Sequence, residues 1–156
     1  MTPAITLLTR NKIAHQVHEY EHDPSAPSFG LEAAEKLSVD PTRIFKTLVL
    51  ELDSNQLVVG IVPVEQMLSP KHIAKQHAAK KAKLADKDRV STVTGYVLGG
   101  VSPLGQKKQL PTTVDRSALD HPTIFVSGGR RGLDIELSPQ DLASLCGADF
   151  AEIVQQ

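Results

Sequence analysis

The chain has 156 residues, a net charge of −1 with histidine neutral, 40% hydrophobic and 22% charged residues. That length fits one domain, residues 1–156, and the balance is that of an ordinary globular protein rather than a polycation or a disordered chain. One cysteine, Cys146, excludes an internal disulfide framework and a multi-thiolate zinc site. No run approaches the roughly 18 apolar residues of a membrane span, and the first residues lack an apolar signal core, so a cytoplasmic address without a membrane partner is expected.

Thr2 as cap and Pro3 at the first helical position predict a helix over Pro3–Lys12. A short extended piece spans Gln16–Glu21, and Asp23–Ser28 reads as a loop by its turn chemistry. Leu31, Ala34 and Leu37 are spaced for burial on a helix over Gly30–Leu37. Lys46–Leu52 and Leu57–Val62 read as a hairpin joined by Asp53–Gln56. Along the first strand Lys46, Leu48, Leu50 and Leu52 share a face, with Thr47, Val49 and Glu51 opposite. The second is apolar on both faces, as a central strand would be. A helix over Pro70–Ala79 capped by Ser69, a brief strand at Lys83–Leu84 and a short helix over Asp86–Ser91, stopped before Gly95, follow. The stretch Gly95–Pro111 is irregular. Strands at Thr123–Val126 and Leu133–Leu137 flank a glycine turn; a helix opens at Ser138-Pro139 and runs through Leu145 to Gly147, and Phe150–Val154 closes the chain as a strand. Hairpins mixed with helices, without regular βα alternation, give an α+β domain with a mixed sheet.

Lys71, Lys75, Lys80, Lys81 and Lys83 form a basic stretch that a solvated face explains, although local positive patches also suit weak contact with a phosphate backbone. Gly95, Gly99, Gly100 and Gly105 punctuate a long apolar loop, and Ser127–Gly132 is a second glycine-rich segment; such loops let backbone approach a ligand. Neither is a P-loop or a dinucleotide fingerprint. Lys46 stands out because a long cation on a leucine face must either snorkel outward or enter a pocket, where it would serve as proton carrier or carbonyl polariser. The six histidines form no metal motif, and no cofactor is expected. Cys146, near a helix end, reads as packing, which leaves the protein with no obvious nucleophile.

Four segments taken together carry a resemblance: Tyr20-Glu-His-Asp23, Phe45-Lys-Thr-Leu48, Thr94 through Lys108, and Val126 through Leu137. In order and spacing they resemble the YbaK/EbsC family of aminoacyl-tRNA deacylases, which is similar to the editing domain inserted in bacterial prolyl-tRNA synthetases. The resemblance implies a curled, barrel-like mixed sheet flanked by helices. It implies a trans-acting hydrolase that removes cysteine from mischarged Cys-tRNA(Pro), contacting the tRNA(Pro) acceptor end and acting with prolyl-tRNA synthetase in a ternary complex. It makes Lys46 the central catalytic residue. Tyr20 and Phe29 would line the aminoacyl pocket, with Thr47 beside the lysine. Gly99 would donate backbone N–H, Ser127 would hydrogen-bond, and Asp134 would orient a ribose hydroxyl or pair with Lys46. The missing nucleophile is then the substrate's own thiol. The alternatives are a same-fold deacylase for another misacylated tRNA, such as Ala-tRNA(Pro), and a non-catalytic module that binds nucleotides or the tRNA acceptor end.

Overall fold

The computed structural model describes residues 1–26 and 29–156, with the side chain of Phe29 outside that description. Helix α1 (Pro3–Arg10) starts where Thr2 accepts a hydrogen bond from the Ile5 amide, and it ends earlier than the pattern suggests because Lys12 adopts a left-handed φ of 56°. Strand β1 (Gln16–Glu19) is followed by α2 (Phe29–Leu37); of the loop expected over Asp23–Ser28, residues 27–28 lie outside the described residues. A 3-10 turn at Pro41–Arg43 precedes the hairpin of β2 (Phe45–Leu52) and β3 (Leu57–Pro63). Helix α3 (Pro70–Gln76), β4 (Ala82–Leu84) and α4 (Lys87–Thr94) follow, the last running three residues beyond Ser91 to a left-handed cap at Gly95. Strand β5 (Thr112–Asp115), a 3-10 turn at Arg116–Asp120, β6 (Ile124–Arg130), β7 (Leu133–Leu137), α5 (Pro139–Cys146) and β8 (Asp149–Ala151) complete the chain.

The strands form two sheets rather than one closed barrel: an antiparallel β1-β7-β6 and a mixed β4-β2-β3-β5-β8. β3 is central and buried along its whole length, as its two apolar faces require. One face of the larger sheet packs Phe45, Val49, Val59 and Ile61 against Leu8, Tyr96 and Leu142. The opposite face packs Leu50, Leu52, Val58 and Val62 against Ile73 of α3 and Ile153. β5 carries no sequence signal of its own, since Thr112-Thr-Val-Asp115 is short and half threonine. It becomes a strand by pairing in parallel with β3 on one side and β8 on the other.

The smaller sheet is two-faced. Ile124, Val126, Ile135 and Leu137 join the main core. Alternation sends Phe125 and Ser127, with their cross-strand partners Glu136 and Asp134, to the other face. His18 stands opposite Asp134 on β1 and shares that face. The two sheets meet at a single parallel bridge between Ile44 and Phe125, beyond which β2 and β6 diverge. That fork positions the site.

Candidate active site

A cavity of about 380 Å³ opens in the fork. β2 contributes Lys46, Thr47 and Leu48; the long loop contributes Leu98, Gly99 and Val101. Ser127, Arg130 to Gly132 and Asp134 of the β6–β7 hairpin face them, and Tyr20 closes one side. Six of the seven residues singled out in the sequence therefore border one space. The seventh, Phe29, begins α2, and its side chain lies outside the described residues.

The backbone of β2 explains why this edge is available. Val64 donates to the Ile44 carbonyl at 2.9 Å and Leu52 to that of Gln56 at 2.8 Å, so the even-numbered residues direct their peptide groups toward β3. Odd-numbered residues point the other way, where Val49 accepts from Ala85 at 3.0 Å. β4 pairs only with Leu50–Leu52, and β6 bridges only at Ile44. Thr47 lies between these contacts, and on that side none of the described strands is paired with it. Its Oγ1 is buried without a hydrogen-bond partner. Buried polar groups are almost always paired, so an unmet hydroxyl on a cavity wall marks a place where a ligand supplies the partner.

Lys46 is half-buried, and desolvation lowers its pKa below that of a free lysine. None of the ion pairs within 4.0 Å among the described residues includes it. Asp134, 8% exposed, is also outside every such pair. Burial pushes its carboxyl up to about 7, opposed by the charge of His18. The Tyr20 phenol rises to about 12 through burial, with the charges of Asp134 and Glu32 adding to it, and so remains a hydrogen-bond donor at neutral pH. An unpaired cation and an unpaired carboxyl on the walls of one cavity are the mark of a functional site, because each costs stability that packing alone does not return.

The two glycine segments are in contact. A Cβ on Gly100 would come within 2.8 Å of the Arg130 Cα, so only glycine lets the long loop seat against the hairpin. Gly132 has a φ of +82°, and a Cβ there would meet the Tyr20 carbonyl oxygen at 2.6 Å. Tyr20 in turn donates its amide to the Gly132 carbonyl at 3.0 Å. The segment Ser127–Arg130 is a bulged continuation of β6 rather than the open turn its glycines suggest. The Gly129 amide donates to Ser127 Oγ at 3.2 Å, which orients the hydroxyl on the cavity wall.

Cys146 lies elsewhere. It is 6% exposed, donates to the Pro103 carbonyl at 3.2 Å, and burial pushes its thiol up to about 12. A larger depression of about 490 Å³ near the C-terminus is lined by Asp115, Ser117, Asp120 and His121 among others. Its buried carboxylate, Asp115, already accepts hydrogen bonds from the amides of Ser117 and Ile153. No cluster of three or more metal-ligating side chains occurs among the described residues, and none of their helices is long and apolar enough to cross a membrane.

Residues 23–145 match the aminoacyl-tRNA editing domain, and the chain belongs to that family. It is 38% identical over 97% of its length, and 92% of the relative's, to the Enterococcus faecalis protein named "Putative Cys-tRNA(Pro)/Cys-tRNA(Cys) deacylase EbsC". It is 29% identical over 72% of its length, and 71% of the relative's, to YwhH of Bacillus subtilis. Among solved structures, one described as a "putative trans-editing enzyme for prolyl tRNA synthetase" superposes with a TM-score of 0.84 at 23% identity, covering 100% of this chain and 99% of that one. The hypothetical protein APE2540 superposes at 0.86 with 24% identity, covering 99% and 100%. These two likenesses establish the shared fold.

Proposed function

We propose that this protein deacylates tRNA charged with the wrong amino acid, and that its substrate is Cys-tRNA(Pro), hydrolysed in trans at the fork between β2 and β6. The observation that carries this reading is the unpaired Lys46 beside the open edge of Thr47, facing an unpaired carboxyl across a cavity of about 380 Å³. An aminoacyl ester has a carbonyl oxygen that becomes negative during attack, and Lys46 with the Thr47 amide is arranged to receive it. The terminal ribose offers hydroxyls to Asp134 and Ser127, and the Gly99 loop supplies backbone N–H toward the adenosine.

The reaction needs a nucleophile, and the cysteine of the substrate brings one. Its free thiol, with a pKa near 8.5, is partly thiolate at neutral pH. The sulfur attacks its own carbonyl carbon, an S–C bond forms, the ester C–O bond breaks, and the thiol proton ends on the departing ribose hydroxyl. The product is a cyclic thiolactone that water opens afterwards. The protein holds the reactive rotamer and stabilises the oxyanion. Cysteine and proline are similar in size, and a synthetase pocket separates such neighbours by only about 1–3 kcal/mol, so a second hydrolytic site is required. Prolyl-tRNA synthetase, bound to the same tRNA, supplies the identity of the nucleic acid.

Cys146→Ala is expected to leave Cys-tRNA(Pro) deacylation within about twofold of wild type, since the thiol is buried and outside the cavity. A deacylation time course decides this, and complete loss would make the protein's own thiol the nucleophile. In the same assay, Ser-tRNA(Pro) should survive while the cysteinyl ester is cleaved. Gly100→Ala is expected to raise KM about tenfold or more by forcing the long loop off the Arg130 backbone. An unchanged KM would place the loop outside the binding site.

A further inference from the structure

A second set of charged side chains stands behind the Asp134 wall and takes no part in the chemistry above. His18 on β1 lies directly across from Asp134 on β7, a relation that brings facing Cβ atoms to about 4.5–5.5 Å. The His18 Nε2 meets Glu136 Oε1 at 2.9 Å, and its ring leans on Phe125 with centroids 5.1 Å apart. Glu136 is itself held: Thr123 donates its hydroxyl to Oε2 at 2.6 Å, and Arg43 Nη2 reaches the same oxygen at 3.2 Å. Arg43 also donates from Nε to the Thr123 carbonyl at 3.2 Å and covers the Phe125 ring at 5.1 Å. The imidazole thus stands between one carboxylate with several partners and one with no ion pair.

We propose that His18, anchored by Glu136, is a positioning residue that acts through Asp134, its positive form favouring the carboxylate over the acid and directing it at the bound substrate. This rests on the reading of Asp134 as a substrate-orienting group. The geometry suits the task, because Arg43 and Thr123 fix Glu136, and Glu136 in turn holds the imidazole beside Asp134. Other groups border the same cavity: Tyr20 just after β1, Lys46 from β2, Ser127 from β6, and Arg130 and Arg131 at the hairpin tip. Glu32 of α2 reaches Tyr20 electrostatically. Of all these, His18 is the one whose charge opposes the effect of burial on Asp134.

Two substitutions separate charge from packing, since both remove the ring from Phe125. His18→Gln removes the positive charge, so Asp134 holds its proton to higher pH and the acid limb of kcat/KM moves up by about one pH unit. Deacylation at pH 6 then falls severalfold to tenfold, while the rate above about pH 9 stays at the wild-type level. His18→Lys keeps a permanent cation at the site and leaves the limb at or below its wild-type position. The same order should appear in the substrate-free protein, where the Asp134 carboxyl is followed directly by 13C NMR titration. Equal Asp134 midpoints in wild type and His18→Gln would overturn the inference, as would a pH-independent loss of rate in both variants. If the midpoints move as expected but no charged tRNA is hydrolysed, the positioning role stands and the deacylase reading fails.

Discussion

Lys46→Ala is expected to lower the rate constant for Cys-tRNA(Pro) deacylation by about 1,000-fold, some 4 kcal/mol of transition-state stabilisation. The argument starts from β2, where a lysine shares a face with Leu48, Leu50 and Leu52. The leucines at 50 and 52 are buried against α3, whereas Lys46 stops short of that core and borders the cavity. With no carboxylate within 4.0 Å among the described residues, its charge is left for the substrate. Desolvation has already lowered its pKa, so the ammonium gives up a proton more readily than a surface lysine. The variant should unfold at a temperature no lower than wild type, because a half-buried, unpaired cation contributes nothing to the fold. A single-turnover assay together with a melting curve checks both parts. A rate within tenfold of wild type would remove Lys46 from the chemistry, and a variant that no longer folds would show the side chain to support the fold instead.

Asp134→Asn is expected to stabilise the protein while costing about 100-fold in activity. The unfolded aspartate ionises near pH 3.9, but the folded one holds its proton to about 7. Between those values the native state carries the extra proton, so stability falls as pH rises through the window, and above pH 7 the whole cost is present. Replacing the carboxylic acid with an amide removes that cost, on the order of 4 kcal/mol at pH 8, or roughly 8–16 °C in Tm. At pH 4, where the folded carboxyl is protonated and the unfolded one about half so, most of that difference should be gone. Calorimetry at the two pH values provides the comparison, and an Asn variant that melts lower at pH 8 would mean the carboxylate is satisfied in the fold. A residue that weakens its own protein while facing a cavity is retained for what it does there.

The local chemistry of the chain carried most of the helices and the central hairpin. Thr2, Ser69 and Ser138 cap helices that begin at the prolines following them, and the apolar faces of Leu57–Val62 place β3 at the centre of its sheet. What stayed hidden depends on distant partners. β5 exists through β3 and β8, which lie far from it along the chain. The bulge that carries β6 on to Arg130 looks like a turn because its glycines suit both. At the site, Lys46 was legible as a cation in an apolar pattern, and the two glycine segments as places of close approach. The exposed edge at Thr47 was not, since an unpaired peptide group shows only once the extents of β4 and β6 are known. Nor was the His18–Glu136–Arg43 chain. Its members are ordinary polar residues scattered over nearly 120 positions, and strand register alone brings them together.

The fork between β2 and β6 is tested most directly by a crystal structure with a non-hydrolysable analogue, adenosine carrying cysteine through a 3′-amide. The amide oxygen should lie about 3 Å from Lys46 Nζ or the Thr47 amide, with a ribose hydroxyl on Asp134. An analogue seated in the C-terminal depression beside Asp115 and His121, or a Lys46 ammonium turned into solvent away from the bound acyl group, would contradict it.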